Sequence, residues 1–262
     1  MTPILVACLA VFGAGATAVP AALLAHRYVP RRARHELGTY GGLVSGIALG
    51  LFMLSVGAVA AYALMDLDAG EASTTREASA VTEAYWYAHS VGGQEGLQMR
   101  GLLREYVTEV TNVEWPFMAT AGDLTDRGWT LVDDLRYRIE IAAPKPQGPA
   151  ERYSRVLGTM TDIASARRDR QSLAGSYVPA MLWAALITSG LLVAVLPIVR
   201  GNPSPVTRAT LAFVSTSAVA FVIVIAYQLN GPFQGVISVP PTAFERAAQG
   251  FDSIDAHWAR HP

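Results

Sequence analysis

Side chains suited to catalysis or metal binding are few in this chain, and they are scattered. The five histidines are His26, His35, His89, His257 and His261. Only His257 and His261 stand four apart, and their place in the last residues reads as a solvated tail. His89 reads as a surface or internally satisfied histidine. The single cysteine, Cys8, excludes an intrachain disulfide or a cysteine-ligated zinc site and reads as a packing residue in an apolar run. There is no glycine-rich phosphate loop, no Gly-x-Ser-x-Gly elbow and no His-Glu-x-x-His. The sequence therefore predicts a protein that is not an enzyme, with no metal and no cofactor. A net charge of −1 excludes a globally basic nucleic-acid binder.

More informative are residues whose spacing shapes a helix surface. Gly38, Gly42, Gly46 and Gly50 recur at every fourth position, which strips one face of side chains and lets another helix approach closely. Ala48, Phe52, Ser55 and Val59 lie roughly opposite. If copies gathered around an axis, that second face would line a pore, with Phe52 as a hydrophobic constriction that gates by dewetting. Two charges fall at helix positions otherwise apolar. Glu114 borders one stripe, and Arg167 follows Ile163 by four on another. Either they pair in the interior, since an unpaired buried charge is costly, or each extends to water.

Charged residues make up 16% of the chain, against roughly a quarter in ordinary soluble proteins, and hydrophobic residues 52%. Residues 1–25, 37–65, 171–199 and 209–229 lack Asp, Glu, Lys and Arg for about the 20 residues a helix needs to cross a bilayer. Their backbone amides must be satisfied within each segment, so each is predicted helical. The first run has its arginines after it, at 27, 31, 32 and 34, which reads as a retained span with its N-terminus outside, not a signal peptide. The fold class expected is all-α: an integral membrane protein with four transmembrane helices and a helical extramembrane domain between the second and third. The divisions are residues 1–65 and 177–229 as transmembrane hairpins, 66–176 as the helical domain, and 230–262 as an extended segment with an amphipathic tail helix. No proline interrupts residues 37–89, so the second span is predicted to continue into the domain as one long helix.

Residues 66–170 hold 12 basic and 17 acidic side chains. Three apolar stripes at helical spacing are predicted core: Leu102, Tyr106, Val110, Val113, Phe117; Leu131, Leu135, Ile139, Ala142; and Tyr153, Val156, Met160, Ile163. Ala80, Val81, Ala84 and Ala88 continue the second span's apolar face. In the tail, Phe244, Ala247, Ala248, Phe251, Ile254 and Trp258 form another, with Trp258 suited to a protein groove or a headgroup zone. Basic residues in the short loops around residues 27–34 and 200–208 place those loops in the cytoplasm and the helical domain outside; Arg167, Arg168 and Arg170 argue the other way.

The run Tyr106-x-x-x-Val110-x-x-x-Glu114-Trp115-Pro116-x-Met118 resembles the signature of a bacterial membrane family described as bestrophin-like. His35-Glu36, Glu83-Ala84 and Pro232-Phe233-x-Gly235 agree, and the likeness spans about residues 35–244. The sequence departs at Gly231, where the family often has a basic residue, and after His35, where it often has Asn. The resemblance implies structural roles for Glu83, Tyr106, Glu114, Trp115, Pro116, Pro232, Phe233 and Gly235, and a pentameric anion channel lined by the second helix. Bestrophins keep the intervening domain in the cytoplasm, against the arginine count here. The acidic calcium cluster of animal bestrophins is absent, since residues 209–244 contain no Asp or Glu.

The functional expectation is a homo-oligomeric, bestrophin-like ion channel for small anions in the bacterial inner membrane, with the lipid bilayer as its surroundings. The alternative is a non-catalytic scaffold or accessory subunit whose helical domain binds another membrane or envelope protein.

Overall fold

The structure is a computed structural model that describes residues 3–28, 31–142, 150–199 and 204–260, with side chains described at 8–20, 42–142, 153–195 and 204–260. Gly38 and His35 lie in a described helix but outside the described side chains, as do Arg27, Arg31, Arg32, Arg34, His26 and Glu36. Arg200 and His261 lie outside the described residues. The elements are α1 (Pro3–Tyr28), α2 (Arg31–Val91), α3 (Gly93–Glu109), a π-turn (Val110–Glu114), α4 (Trp115–Ala121), α5 (Asp126–Ile141), α6 (Ala150–Ala174), α7 (Ala180–Val199), α8 (Pro205–Gln228) and α9 (Thr242–Arg260). No strand occurs among the described residues. The chain forms two compact units: residues 1–64 with 177–230, and residues 65–176 with 231–262. α2, 61 residues long, belongs to both, as the proline-free run predicts.

In the first unit, α1 packs on α8 through Phe12 and Phe213, stacked at 6.5 Å, and through Gly15, where an added Cβ would lie 2.9 Å from the Phe213 ring. A second set of contacts joins α2, α7 and α8: Phe52, Val59, Val178, Leu186, Val219 and Ala226 form its core. Gly190 permits this approach, since a Cβ there would sit 2.8 Å from Val219 Cγ1 and 3.3 Å from the Phe52 ring. Much of the remaining surface is apolar and exposed, including Leu43, Ile47, Met53, Leu54, Leu191 and Phe221. Soluble proteins rarely leave such a continuous apolar surface uncovered. Gly42–Val91 and Pro205–Gln228 contain stretches long and apolar enough to cross a membrane; Cys8–Pro20 and Ala180–Val195 are shorter apolar helices. Cys8, expected as a packing residue, is exposed.

The second unit is a helical bundle around Val81, Ala88, Met99, Leu103, Met118, Leu131, Ile139, Ile163, Phe244 and Phe251. The stripes on α2, α5 and α6 face this core as their spacing predicts. The stripe through α3 does not survive intact. Tyr106 and Val110 are buried, but Val113 is 50% and Phe117 41% exposed, while Glu114, Trp115 and Met118 turn inward. The cause is Pro116. It has no N–H to give to residue 112, and its ring collides with that carbonyl in a regular helix. The chain widens by one residue instead, with Trp115 N–H bonding to Val110 O, and the inward face rotates from Val113 and Phe117 onto their C-terminal neighbours. Gly122, at φ 67°, then closes α4 in the left-handed conformation that favours glycine.

Residues 229–241 form turns without helix, and α9 lays Phe244, Ala247, Phe251 and Ile254 into the bundle core. Trp258 resolves to a protein contact, stacking on His89 at 5.3 Å.

Candidate functional site

The π-turn delivers Glu114 to the centre of the second unit, where it meets α6 and α2. Glu77, Glu114, Arg167 and Arg170 are all fully buried and form one neutral quartet. Arg167 holds Glu114 with two parallel bonds, Nη1 to Oε1 at 3.0 Å and Nη2 to Oε2 at 2.6 Å. Arg170 holds Glu77 through Nε at 2.8 Å and Nη2 at 3.0 Å, and its Nη1 reaches Glu114 Oε1 at 2.6 Å, which links the two pairs. The Tyr106 hydroxyl donates to Glu77 and accepts from Arg167 Nη1 at 3.1 Å. Aromatic faces insulate the cations: Arg167 lies over Trp129 at 5.0 Å, and Arg170 over Trp115 at 5.5 Å and Phe244 at 5.6 Å.

Burial alone would raise the Glu114 carboxyl, but Arg170 and Arg167 outweigh it and hold it below the ordinary carboxylate range. Burial, with the Glu77 carboxylate beside it, pushes the Tyr106 phenol far up. Arg167 and Arg170 are driven further toward the cation by their partners despite desolvation. Glu114, Arg167 and Arg170 therefore stay charged at neutral pH, and Tyr106 keeps its proton. Groups fixed in this way do not exchange protons with a substrate. What the arrangement does is tie α2, α3, the π-turn and α6 into one register.

Space around the quartet is tight. At Gly128, in the first turn of α5, an added Cβ would overlap the Arg167 guanidinium and lie 2.6 Å from Glu114 Oε2. Gly128→Ala is expected to cost about 1–3 kcal/mol, as overpacking does, measured as a lower denaturation midpoint of the purified protein; an unchanged midpoint would mean the quartet yields freely.

A second polar cluster fastens α9. Asp255 lies 2.5 Å from His89 Nε2, accepts from Tyr85 at 3.0 Å and from Arg104 Nη2 at 2.8 Å, while Arg104 also reaches Asp252 at 2.8 Å. Burial would raise the Asp255 carboxyl, but Arg104, His89 and Tyr85 together hold it low. Tyr85 stacks on Phe251 at 4.0 Å, so the tail helix is held by both charge and ring contact.

The motif residues fall mostly into the second unit's interior. Trp115 Nε1 donates to Val239 O at 3.1 Å and meets Phe233 edge-on at 5.6 Å. Pro232 and Phe233 pack on α2 at Gly70, where an added Cβ would lie 3.3 Å from Pro232. Gly235 has φ 84°, a turn that a side chain would strain. Pro116 is exposed and acts through the backbone. Glu83 is exposed at the rim of a cavity of about 160 Å³ with Trp86, Tyr87 and Arg155.

The expected pore face has neighbours within the chain. Ala48, Phe52 and Val59 are buried within the chain itself, Phe52 and Val59 against α7 and α8, and Ser55 is half-buried with its hydroxyl 3.4 Å from that of Ser189. That face has its partners inside one protomer. The exposed face is the one carrying Gly42, Gly46 and Gly50, and a Cβ added at Gly46, Gly50 or Gly57 would touch nothing. Sequence reasoning found Glu114 and Arg167 but missed Glu77 and Arg170. Both were signalled by the same rule, since Glu77 precedes Val81 by four on α2 and Arg170 follows Arg167 by three on α6.

A long helix common to an apolar helical unit and an ion-paired helical bundle defines the class: an all-helical protein with stretches suited to a bilayer. Residues 12–244 match the family model of the Bestrophin-like domain, and the chain belongs to that family. A crystal structure of a variant membrane protein is similar at TM-score 0.64 and 10% identity, over 97% of this chain and 99% of that one. Two variants of a bacterial bestrophin homologue from Klebsiella pneumoniae align at TM-score 0.43 with 13% and 14% identity, again over 97% of this chain and 99% of theirs. The first likeness shows a shared fold. No curated protein matches the chain.

Proposed function

We propose that the protein is the subunit of a homo-oligomeric membrane channel for small anions, crossing the bacterial inner membrane four times through α1, the first half of α2, α7 and α8. The observation that carries this reading is the open face of α2. One side of the helix is spent on the protomer's own core, and the opposite side presents Gly46, Gly50, Met53 and Gly57 with no neighbour to fill the space at its glycines. Glycines at this spacing suit close approach of a second helix, and in a ring of copies the same face looks toward the axis. Met53 then takes the place at the constriction that the sequence alone had given to Phe52. Membership of the Bestrophin-like family supports conduction over a purely structural role.

The helical bundle lies outside the cytoplasm in this proposal. Two of the three arginines that argued against that orientation, Arg167 and Arg170, are locked in buried ion pairs and are not free to act as juxtamembrane charges.

The test is reconstitution of the purified protein in planar bilayers under a potassium chloride gradient. The expected result is a current whose reversal potential moves toward that of chloride. Silent bilayers from a folded oligomer, at both polarities, would refute the channel.

A further inference from the structure

The buried face of α8 runs Arg208, Ala212, Val219 and Ala226. Three of these suit the interior of an apolar unit and the first does not. Arg208 is 2% exposed, neither its Nε nor its Nη2 has a hydrogen-bond partner, and no ion pair involves it among the described residues. The contrast with the second unit is sharp, because there each buried arginine meets a carboxylate through at least two nitrogens. A guanidinium does not relieve its burial by losing a proton. Its charge must be met by an anion.

The two unsatisfied atoms identify the kind of anion. Nε–H and Nη2–H are the adjacent, parallel donors of one guanidinium edge, and they match two oxygens of a single oxyanion; a halide takes only one position between them. The location reinforces this. Arg208 is the fourth residue of α8, which starts at Pro205 behind the cap Ser204. Helical side chains tilt toward the N-terminus, and that terminus carries positive partial charge from its unsatisfied N–H groups. A buried cation at that end is opposed twice without an anion and both features favour one when it is present.

We infer that Arg208 and the N-terminus of α8 form a binding site for an oxyanion of phosphate chemistry, either free phosphate or the phosphodiester of a lipid headgroup. Position favours both sources equally, because Arg208 immediately precedes the apolar run of residues 209–229, at the end of a proposed span. The inference concerns a bound anion at a fixed site and stands whether or not the protein conducts.

The experiment uses the full chain in a phosphate-free maltoside detergent and reads the melting temperature by intrinsic tryptophan fluorescence. In the detergent alone, inorganic phosphate is titrated against sodium chloride of matched ionic strength; in a second arm, phosphatidylglycerol is added to the micelles. A ligand that binds only the folded state raises the melting temperature with its concentration. Wild-type protein is expected to gain several degrees in at least one arm. A gain with phosphate identifies the free ion, and a gain only with phosphatidylglycerol identifies the headgroup. Arg208→Gln is expected to melt no lower than wild type without the anion and to lose the gain. Arg208→Lys, which keeps the charge but not the paired donors, is expected to keep only part of it, and serves as the readout if the glutamine variant does not fold. Wild-type protein indifferent to both anions, or variants that respond as wild type does, would overturn the site.

Discussion

Glu114→Gln is expected to lower the stability of the helical bundle by about 3–5 kcal/mol, the range for removing one member of a buried ion pair. The magnitude comes from what is left behind. The amide keeps one acceptor oxygen, for which Arg167 and Arg170 must compete, and turns an N–H2 donor toward the other guanidinium N–H, while Arg167 Nε already lacks a partner. Neither arginine is relieved by proton loss, so both remain as desolvated cations between Trp129, Trp115 and Phe244. Chemical denaturation followed by tryptophan fluorescence measures the loss, because Trp115 and Trp129 border the site. The double variant Glu114→Gln/Arg167→Met is expected to recover part of it, since an apolar side chain of similar length leaves no stranded charge. Equal stability of wild type and Glu114→Gln would show that Glu114 contributes nothing by its charge.

The pH dependence has a definite sign. The folded-state carboxyl of Glu114 is held below its ordinary value of 4.5. The unfolded chain therefore takes up the proton first as pH falls, and the contribution of Glu114 is complete above about pH 4.5 and lost as pH drops through the lower folded value. The wild-type denaturation midpoint is expected to decline across that acidic window, and the decline to be smaller in Glu114→Gln.

Particular elements show how far the sequence reaches. The stripe Leu131, Leu135, Ile139 reads directly because α5 is uninterrupted and one face of it is buried along its length. The stripe through Val113 and Phe117 fails because it assumes 3.6 residues per turn across a proline. Pro116 is visible in the sequence, but its consequence depends on whether the helix stops or widens. Here it widens, because the widened turn brings Glu114 to Arg167. The Arg167–Glu114 pair was one of two open readings, since composition does not decide between burial and extension to water. The Arg170–Glu77 pair joins residues 93 apart in the chain, and only the packing of α2 against α6 brings them together. The two sides of α2 were distinguishable by their spacing, yet their assignment was not. A small-residue strip and a mixed apolar strip each suit a partner, and spacing says nothing about which partner comes from the same chain.

That assignment gives the second large effect, because opposite faces of one helix are expected to fail differently. Phe52→Ala removes a ring packed among Val219, Leu186 and Gly190 within the protomer. The expected result is a loss of about 3–5 kcal/mol, the range for emptying a buried aromatic site, with the oligomer dissociating only as the subunit unfolds. Gly46→Leu acts on the other side. Its new side chain meets nothing within the protomer, so the folded subunit is expected to melt as wild type does while the helix-to-helix approach is blocked. Mass measurement in detergent, beside a melting curve for each variant, separates the two outcomes. A stable, well-assembled Phe52→Ala protein with raised conductance would return Phe52 to the pore. A Gly46→Leu protein that still assembles as wild type would remove the glycine face from the interface, and with it the ring that the proposed channel requires.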